Sequence, residues 1–199
     1  MPSTDYKKKR LTISHKGLTE LPEDINNYTN LLVLWCIGNK LTHLDNLPPT
    51  LKYLFCSGNS DITQLDNLPP YLENLWCTQN KITQLDNLPL NLITLNCNDN
   101  FITQLDNLPQ SLIELICDEN NITHLDNLPL NLEVLSCNRN SITYLDNLPP
   151  HLKNLSCSNN KIRKLNNLPQ SIKYLFCWTN PLEYDFELTL ENIRRHIAS

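Results

Sequence analysis

The chain has 199 residues, with 16 Lys and Arg against 21 Asp and Glu for a formal net charge of -5, and it contains 13 Pro, 3 Gly and 8 Cys. An acidic balance without a basic stripe argues against nucleic acid as a partner, and no stretch is long or apolar enough to span a bilayer. Leu and Asn are in excess, but the leucines recur in register and supply a core, so disorder is excluded.

The opening residues, from Met1 to Arg10, hold no apolar run and do not read as a secretory signal. Their one basic cluster, Lys7-Lys8-Lys9-Arg10, reads as a solvated edge. A first strand follows at Leu11-Thr12-Ile13, in which Ile13 takes the place that cysteine holds in later units and Lys16 the place of asparagine. The step from Ile13 to Cys36 is 23 residues, and the longer crossover between them has room for a short helical turn.

From there eight cysteines stand at positions 36, 56, 77, 97, 117, 137, 157 and 177, always 20 or 21 residues apart. Each lies in the frame L-x-x-L-x-C-x-x-N, as in Leu92 to Asn100, followed by I/L-T-x-L-D-N-L-P. A fixed period of this size means one small unit stacked on copies of itself, because so short a unit cannot bury its apolar side alone. The Leu-x-Cys alternation has the period of a strand with one buried face, and strands joined by crossovers pair in parallel. The later crossovers, such as residues 85–92, are too short and proline-rich for an α-helix, so extended or polyproline geometry is expected.

The expected fold is therefore a solenoid with a curved parallel sheet of nine short strands on its concave face and mostly extended or polyproline convex segments. Residues 1–30 form an N-terminal cap and first strand, residues 31–180 eight repeats, and residues 181–199 a C-terminal cap. In the cap, Leu190, Ile193 and Ile197 fall at helical spacing, and Arg194, Arg195 and His196 suit the negative end of a helix dipole.

Three columns repeat through the array. Cysteine is small and buries readily, which suits a thin core. Neighbouring cysteines would lie about 4.8 Å apart, yet project side by side and not toward one another. Reduced thiols are expected, and with them a reducing, intracellular compartment. No C-x-x-C or Cys/His spacing indicates a metal, and no cofactor is expected. The second column, Asn39, Asn59, Asn80, Asn100, Asn120, Asn140, Asn160 and Asn180, places an amide at an inward position. Such a group is costly unless paired, so a structural ladder bonding the turning backbone is expected. The third column, Asp45, Asp66, Asp86, Asp106, Asp126 and Asp146, ends in Asn166. A turn role accepting backbone amides is expected there, with a cation ladder as the alternative.

The whole frame resembles the leucine-rich repeat. Its 20-residue length and Leu-Pro crossovers are similar to the short class in secreted effectors of Gram-negative bacteria, the Yersinia outer-protein and Shigella invasion-antigen families. Its Asn-rich, Ile-Thr style also resembles leucine-rich-repeat proteins of giant DNA viruses of amoebae. The resemblance covers about residues 8–180 and implies a general binding scaffold. Invasion-antigen relatives include ubiquitin ligases whose activity resides in a separate domain after the repeats; only about 19 residues follow here.

The five histidines are scattered, and neither a Ser-His-Asp grouping nor a phosphate-binding glycine loop is present, so an enzyme is not expected. The outward strand positions carry the candidate partner-binding residues: Val33, Trp35, Ile37, Tyr53, Phe55 and Trp76 at one end, Asn96 and Ile116 in the middle, and Tyr174, Phe176 and Trp178 at the other end. Exposed aromatics on a sheet combine apolar area with a polar handle and mark interaction sites; the competing account is cross-strand pairing that only stabilises the sheet. The expected function is a monomeric, non-catalytic module that binds a protein on its concave face, in the manner of a viral or bacterial effector. Two alternatives stand beside it: a carbohydrate or small-ligand binder, and a substrate-recruiting subunit for a separate enzyme.

Overall fold

The computed structural model describes residues 5–166, 168–187 and 189–198, with side chains up to Arg195 in the last segment. Its spine is one parallel sheet whose strands follow in chain order: β1 (Arg10–Thr12), β2 (Val33–Trp35), β3 (Tyr53–Phe55), β4 (Asn74–Trp76), β5 (Thr94–Asn96), β6 (Glu114–Ile116), β7 (Val134–Ser136), β8 (Asn154–Ser156) and β9 (Tyr174–Phe176). Among the described residues a single α-helix, α1 (Leu190–Ala198), comes last.

Each strand is three residues long because only its central leucine must face inward. Leu34, Leu54, Leu75, Leu95, Leu115, Leu135 and Leu155 are buried, while the flanking positions face the other side. The pairing is in register, with Leu34 beside Leu54 and Leu54 beside Leu75, so every buried side chain stacks on its equivalent in the next unit. Burying one such leucine contributes about 1.5–3 kcal/mol, and much of its cover comes from neighbouring units. β1 joins the sheet as its pattern implies: Leu11 pairs with Leu34, and Ile13 is buried in the cysteine column. The longer first crossover holds a 3₁₀ turn at Ile25–Asn27, whose Ile25 is buried.

Among the described residues the later crossovers contain no helix. Within them the chain turns twice. Asn46, Asn67, Asn87, Asn107, Asn127 and Asn147 adopt left-handed backbone, with φ between 53° and 56°, a conformation that asparagine tolerates better than most residues. The leucine after each Pro-x-x then donates its N–H back to the proline carbonyl, as Leu92 does to Pro89 at 3.1 Å and Leu112 to Pro109 at 3.1 Å. The expected turn role of the aspartate column is not found: among the described residues no backbone amide donates to those carboxylates. They are exposed, Asp66 accepts only the Gln64 side chain at 2.8 Å, and Asp45 faces His43 at 3.4 Å. The residue that makes the bend is the asparagine one place later.

All eight cysteines are free and buried. Several thiols donate weakly to a carbonyl of the following unit, Cys36 to Phe55 at 3.5 Å and Cys117 to Ser136 at 3.3 Å. The same carbonyls accept the cysteine N–H groups at 2.9 and 2.8 Å. Burial pushes the Cys36 and Cys97 thiols from 9.0 up to about 12, with the Asp118 charge adding to the effect at Cys97. Native thiols should therefore react slowly with a disulfide reagent, whereas the unfolded, never-reduced protein should titrate as eight free thiols; four or fewer would overturn the reduced assignment. Because the folded pKa is raised, the stability these thiols contribute is complete below 9.0 and is lost as pH rises toward about 12. Urea midpoints measured across that window should fall.

Candidate functional site

The asparagine column lies where each strand ends and the backbone turns away from its neighbour. There the carboxamide accepts from one unit and donates to two. Asn100 Oδ1 accepts the Ile82 N–H at 3.0 Å, and its Nδ2 lies within donating reach of the carbonyls of Cys77 at 3.0 Å and of Cys97 and Asn98 at 3.1 Å. Asn120 repeats the pattern one unit on, with Ile102 N–H and the Cys97 and Cys117 carbonyls. The additional residue of the 21-residue unit is absorbed here: Ile62 donates to the Asn59 carbonyl, and Asn80 Oδ1 accepts the N–H of Asn59 itself.

A second polar column stands one place after the cysteines. Asn98 Oδ1 accepts the Asp118 N–H at 2.7 Å, Asp118 Oδ1 the Asn138 N–H at 2.6 Å, Asn138 Oδ1 the Ser158 N–H at 2.8 Å, and Ser158 Oγ the Trp178 N–H at 3.1 Å. Ser14 Oγ does the same for Ile37 at 3.1 Å. Asp118 also accepts from Ser136 Oγ at 2.8 Å. These groups complete the backbone of the next unit, so much of the polar stretch in the middle of the concave face is engaged within the protein. The signal was present as Ser, Asn and Asp in one column; it is readable only once the strand is known to end at the residue before the cysteine, leaving the next amides in need of acceptors.

The aromatic residues are held differently. The register aligns Trp35 with Phe55 and Phe55 with Trp76. Trp35 and Phe55 stack with ring centroids 5.6 Å apart and planes 9° from parallel, and Phe55 meets Trp76 edge-on at 5.6 Å. Such pairs add about 0.5–1.5 kcal/mol beyond area burial, but they leave outer surface free: Trp76 is 43% exposed. Arg10, Val33, Trp35, Tyr53 and Phe55 line one open groove of about 290 Å³. Val33 offers little of its own surface, at 9% exposure, because Arg10 and Tyr53 stand beside it in the same column. Arg10 was not among the expected contacts, although it occupies the Val33 position of β1.

Ile37, Asn96 and Ile116 are half-buried on the same face, and Asn96 Oδ1 accepts the Asn98 N–H at 3.3 Å. At the far end Tyr174, Phe176 and Trp178 project from and just beyond β9, at 60%, 48% and 57% exposure. Among the described residues no ring contact joins these three, so the two aromatic ends differ: one is a packed column, the other a set of separate side chains. No group of three or more His, Cys, Asp or Glu among the described residues is placed to hold a metal ion. No helix among them is long and apolar enough to cross a membrane.

A coil of short parallel strands, central leucines inward and an asparagine at every bend define a leucine-rich-repeat solenoid, and the units resemble those of bacterial effectors. YopM, a leucine-rich effector protein from Yersinia pestis, is similar with a TM-score of 0.83 and 34% identity over 91% of this chain and 51% of that one. The functional domain of InlJ from Listeria monocytogenes, which includes a cysteine ladder, is similar with a TM-score of 0.76 and 34% identity over 94% of this chain and 42% of that one. A Shigella effector leucine-rich-repeat domain aligns with a TM-score of 0.68 and 28% identity over 97% of this chain and 77% of that one. The chain thus spans about half the length of the YopM chain it matches. No family model matches the sequence, and no curated protein does.

Proposed function

We propose that the protein is a non-catalytic interaction module that binds a protein partner on the concave face, with Trp35, Phe55 and Trp76 as its principal anchor. The supporting observation is the aromatic column itself, stacked across three adjacent strands, open to solvent along one side and free of any duty to the core. A few buried aromatics usually carry most of the energy of an interface, with truncations costing about 2 kcal/mol or more each. The far-end residues Tyr174, Phe176 and Trp178 provide a second contact for a partner that spans the arc. The likeness to YopM, a leucine-rich effector protein, supports an effector-like role, and eight buried thiols suit a reducing compartment.

Trp35→Ala combined with Trp76→Ala is expected to abolish capture of a partner from host lysate while the circular dichroism melt shows an intact fold. Substitution of Gln64, Gln84 and Gln104, exposed on the convex side, should leave capture unchanged. Loss of the partner from the glutamine variant and retention by the tryptophan variant would move the site off the concave face. A carbohydrate reading draws on Trp76 beside Asn74 and Asn96, a ring flanked by amides; capture that survives protease treatment of the lysate would favour it.

A further inference from the structure

The concave face has a direction. Across the first six strands the outward positions run from Arg10 on β1, through Val33, Trp35, Tyr53, Phe55 and Trp76, to the amides and hydroxyl of Asn74, Thr94 and Asn96, and then to Glu114 on β6. Among the described residues ion pairs join Lys52 to Glu73, Lys81 to Asp61, Arg139 to Glu119, Lys153 to Glu133, Arg163 to Glu183 and Arg195 to Glu191, with His43 beside Asp45. Among the described residues neither Arg10 nor Glu114 has such a partner. One cation and one anion thus stand unneutralised at opposite ends of an apolar and amide-lined path. Arg10 also sits beside Lys7, Lys8 and Lys9, which are exposed and reinforce the positive end.

Five strand spacings separate β1 from β6, a path of about 24 Å, which an extended polypeptide covers in about seven residues. We propose that this path takes an extended peptide segment of fixed polarity. A carboxylate lies over Arg10, large apolar side chains pack on Trp35, Phe55 and Trp76, and a lysine or arginine reaches Glu114. Asn74, Thr94 and Asn96 face the intervening peptide groups with both donors and acceptors. The arrangement rests on the concave-face reading and adds to it the sequence character and direction of the ligand: each apolar contact would tolerate either orientation, whereas the two charges admit only one.

The test uses fluorophore-labelled synthetic peptides carrying Glu-Leu-Phe at one end and a lysine about three, seven or eleven residues further on, with binding to the full chain followed by anisotropy. Affinity should peak at the middle spacing, and the peptide with Glu and Lys exchanged should bind about ten-fold more weakly. The protein carrying Arg10→Glu and Glu114→Lys should reverse that preference, its fold checked by circular dichroism. Binding indifferent to spacing and polarity, absence of binding by every peptide, or a charge-exchanged protein that keeps the original preference would overturn the proposal. If the preference fails while Trp35→Ala with Trp76→Ala still eliminates capture from lysate, the concave-face reading stands and only the polarity assignment falls; if the tryptophan variant also retains capture, both fall.

Discussion

Deletion of residues 182–199 is expected to drive the protein into aggregates at concentrations where the full chain remains in solution, read by light scattering and size-exclusion chromatography. A stack of units ends in an open core and a free sheet edge unless something closes it. Here Ile193 is completely buried, and Leu182, Tyr184, Phe186 and Leu190 pack against the last unit. Tyr184 and Phe186 stack at 4.9 Å, and the Tyr184 hydroxyl accepts the Leu165 N–H at 2.8 Å. Arg194 has a role its sequence position did not suggest. From its place in α1 its Nη2 reaches the carbonyls of Pro169, Gln170 and Ile172 at 3.0–3.2 Å. One unit earlier the Ser171 hydroxyl donates to the carbonyls of Pro150 and Leu152, so the guanidinium substitutes for the next repeat that the array lacks at this point. Arg194→Leu alone should lower the stability read from urea unfolding by about 1–3 kcal/mol, mainly through the carbonyl of the buried Ile172, because water can serve that of the exposed Gln170. A soluble truncation with the full chain's midpoint would refute the capping role.

Replacing Asn100 by leucine in mid-array should destabilise the protein by about 3 kcal/mol, as the Ile82 N–H and the Cys77 and Cys97 carbonyls each lose a buried partner. Leucine branches at the same carbon but is the bulkier side chain, so Asn100→Ala, which adds no volume, should show a loss of the same sign. Asn180 makes the equivalent bonds to Ile162, Cys157 and Cys177 but is only half-buried at the end of the array. Water can replace part of what it provides, and Asn180→Leu should cost visibly less. Equal urea midpoints for wild type and Asn100→Leu would show that the column is dispensable.

The frame of leucine, cysteine and asparagine made the strands legible, because each of those residues answers to burial or to a fixed polar demand at one point of the unit. Even β1, which lacks both Cys and Asn, was readable from Leu11 and Ile13. Less legible were features that depend on where a backbone group is left unpaired. Asn98, Asp118, Asn138 and Ser158 differ in type and look like a polar surface; their common task appears only with the register of the strands. Gln79, Asp99, Glu119 and Arg139 all adopt left-handed backbone, with φ of 52–55°, yet share no side-chain chemistry that would announce it. Gly38 and Gly58 hold the same position earlier in the array, where glycine adopts this backbone without steric cost. The aspartate column misled for the converse reason: a regular residue next to a turn need not be the one that makes it. At the candidate site the aromatic column was visible, whereas Arg10 was not, since it was read together with Lys7, Lys8 and Lys9 as a solvated edge.

The segment Leu-Asp-Asn-Leu-Pro recurs unchanged in six crossovers, beginning at residues 44, 65, 85, 105, 125 and 145, and strands follow one another in the sheet in the order of the chain. Identical tiles offer a folding chain many neighbours of nearly equal affinity, so side-chain recognition alone could not tell the correct slot from the one beyond it. The tether can. Each crossover leaves its strand and bends at the left-handed asparagine and again at the proline, so the adjacent place is the one that closes the shortest loop at the least entropic cost. Fidelity of assembly is therefore assigned to the lengths of the connections, and the repeated residues are free to be copies.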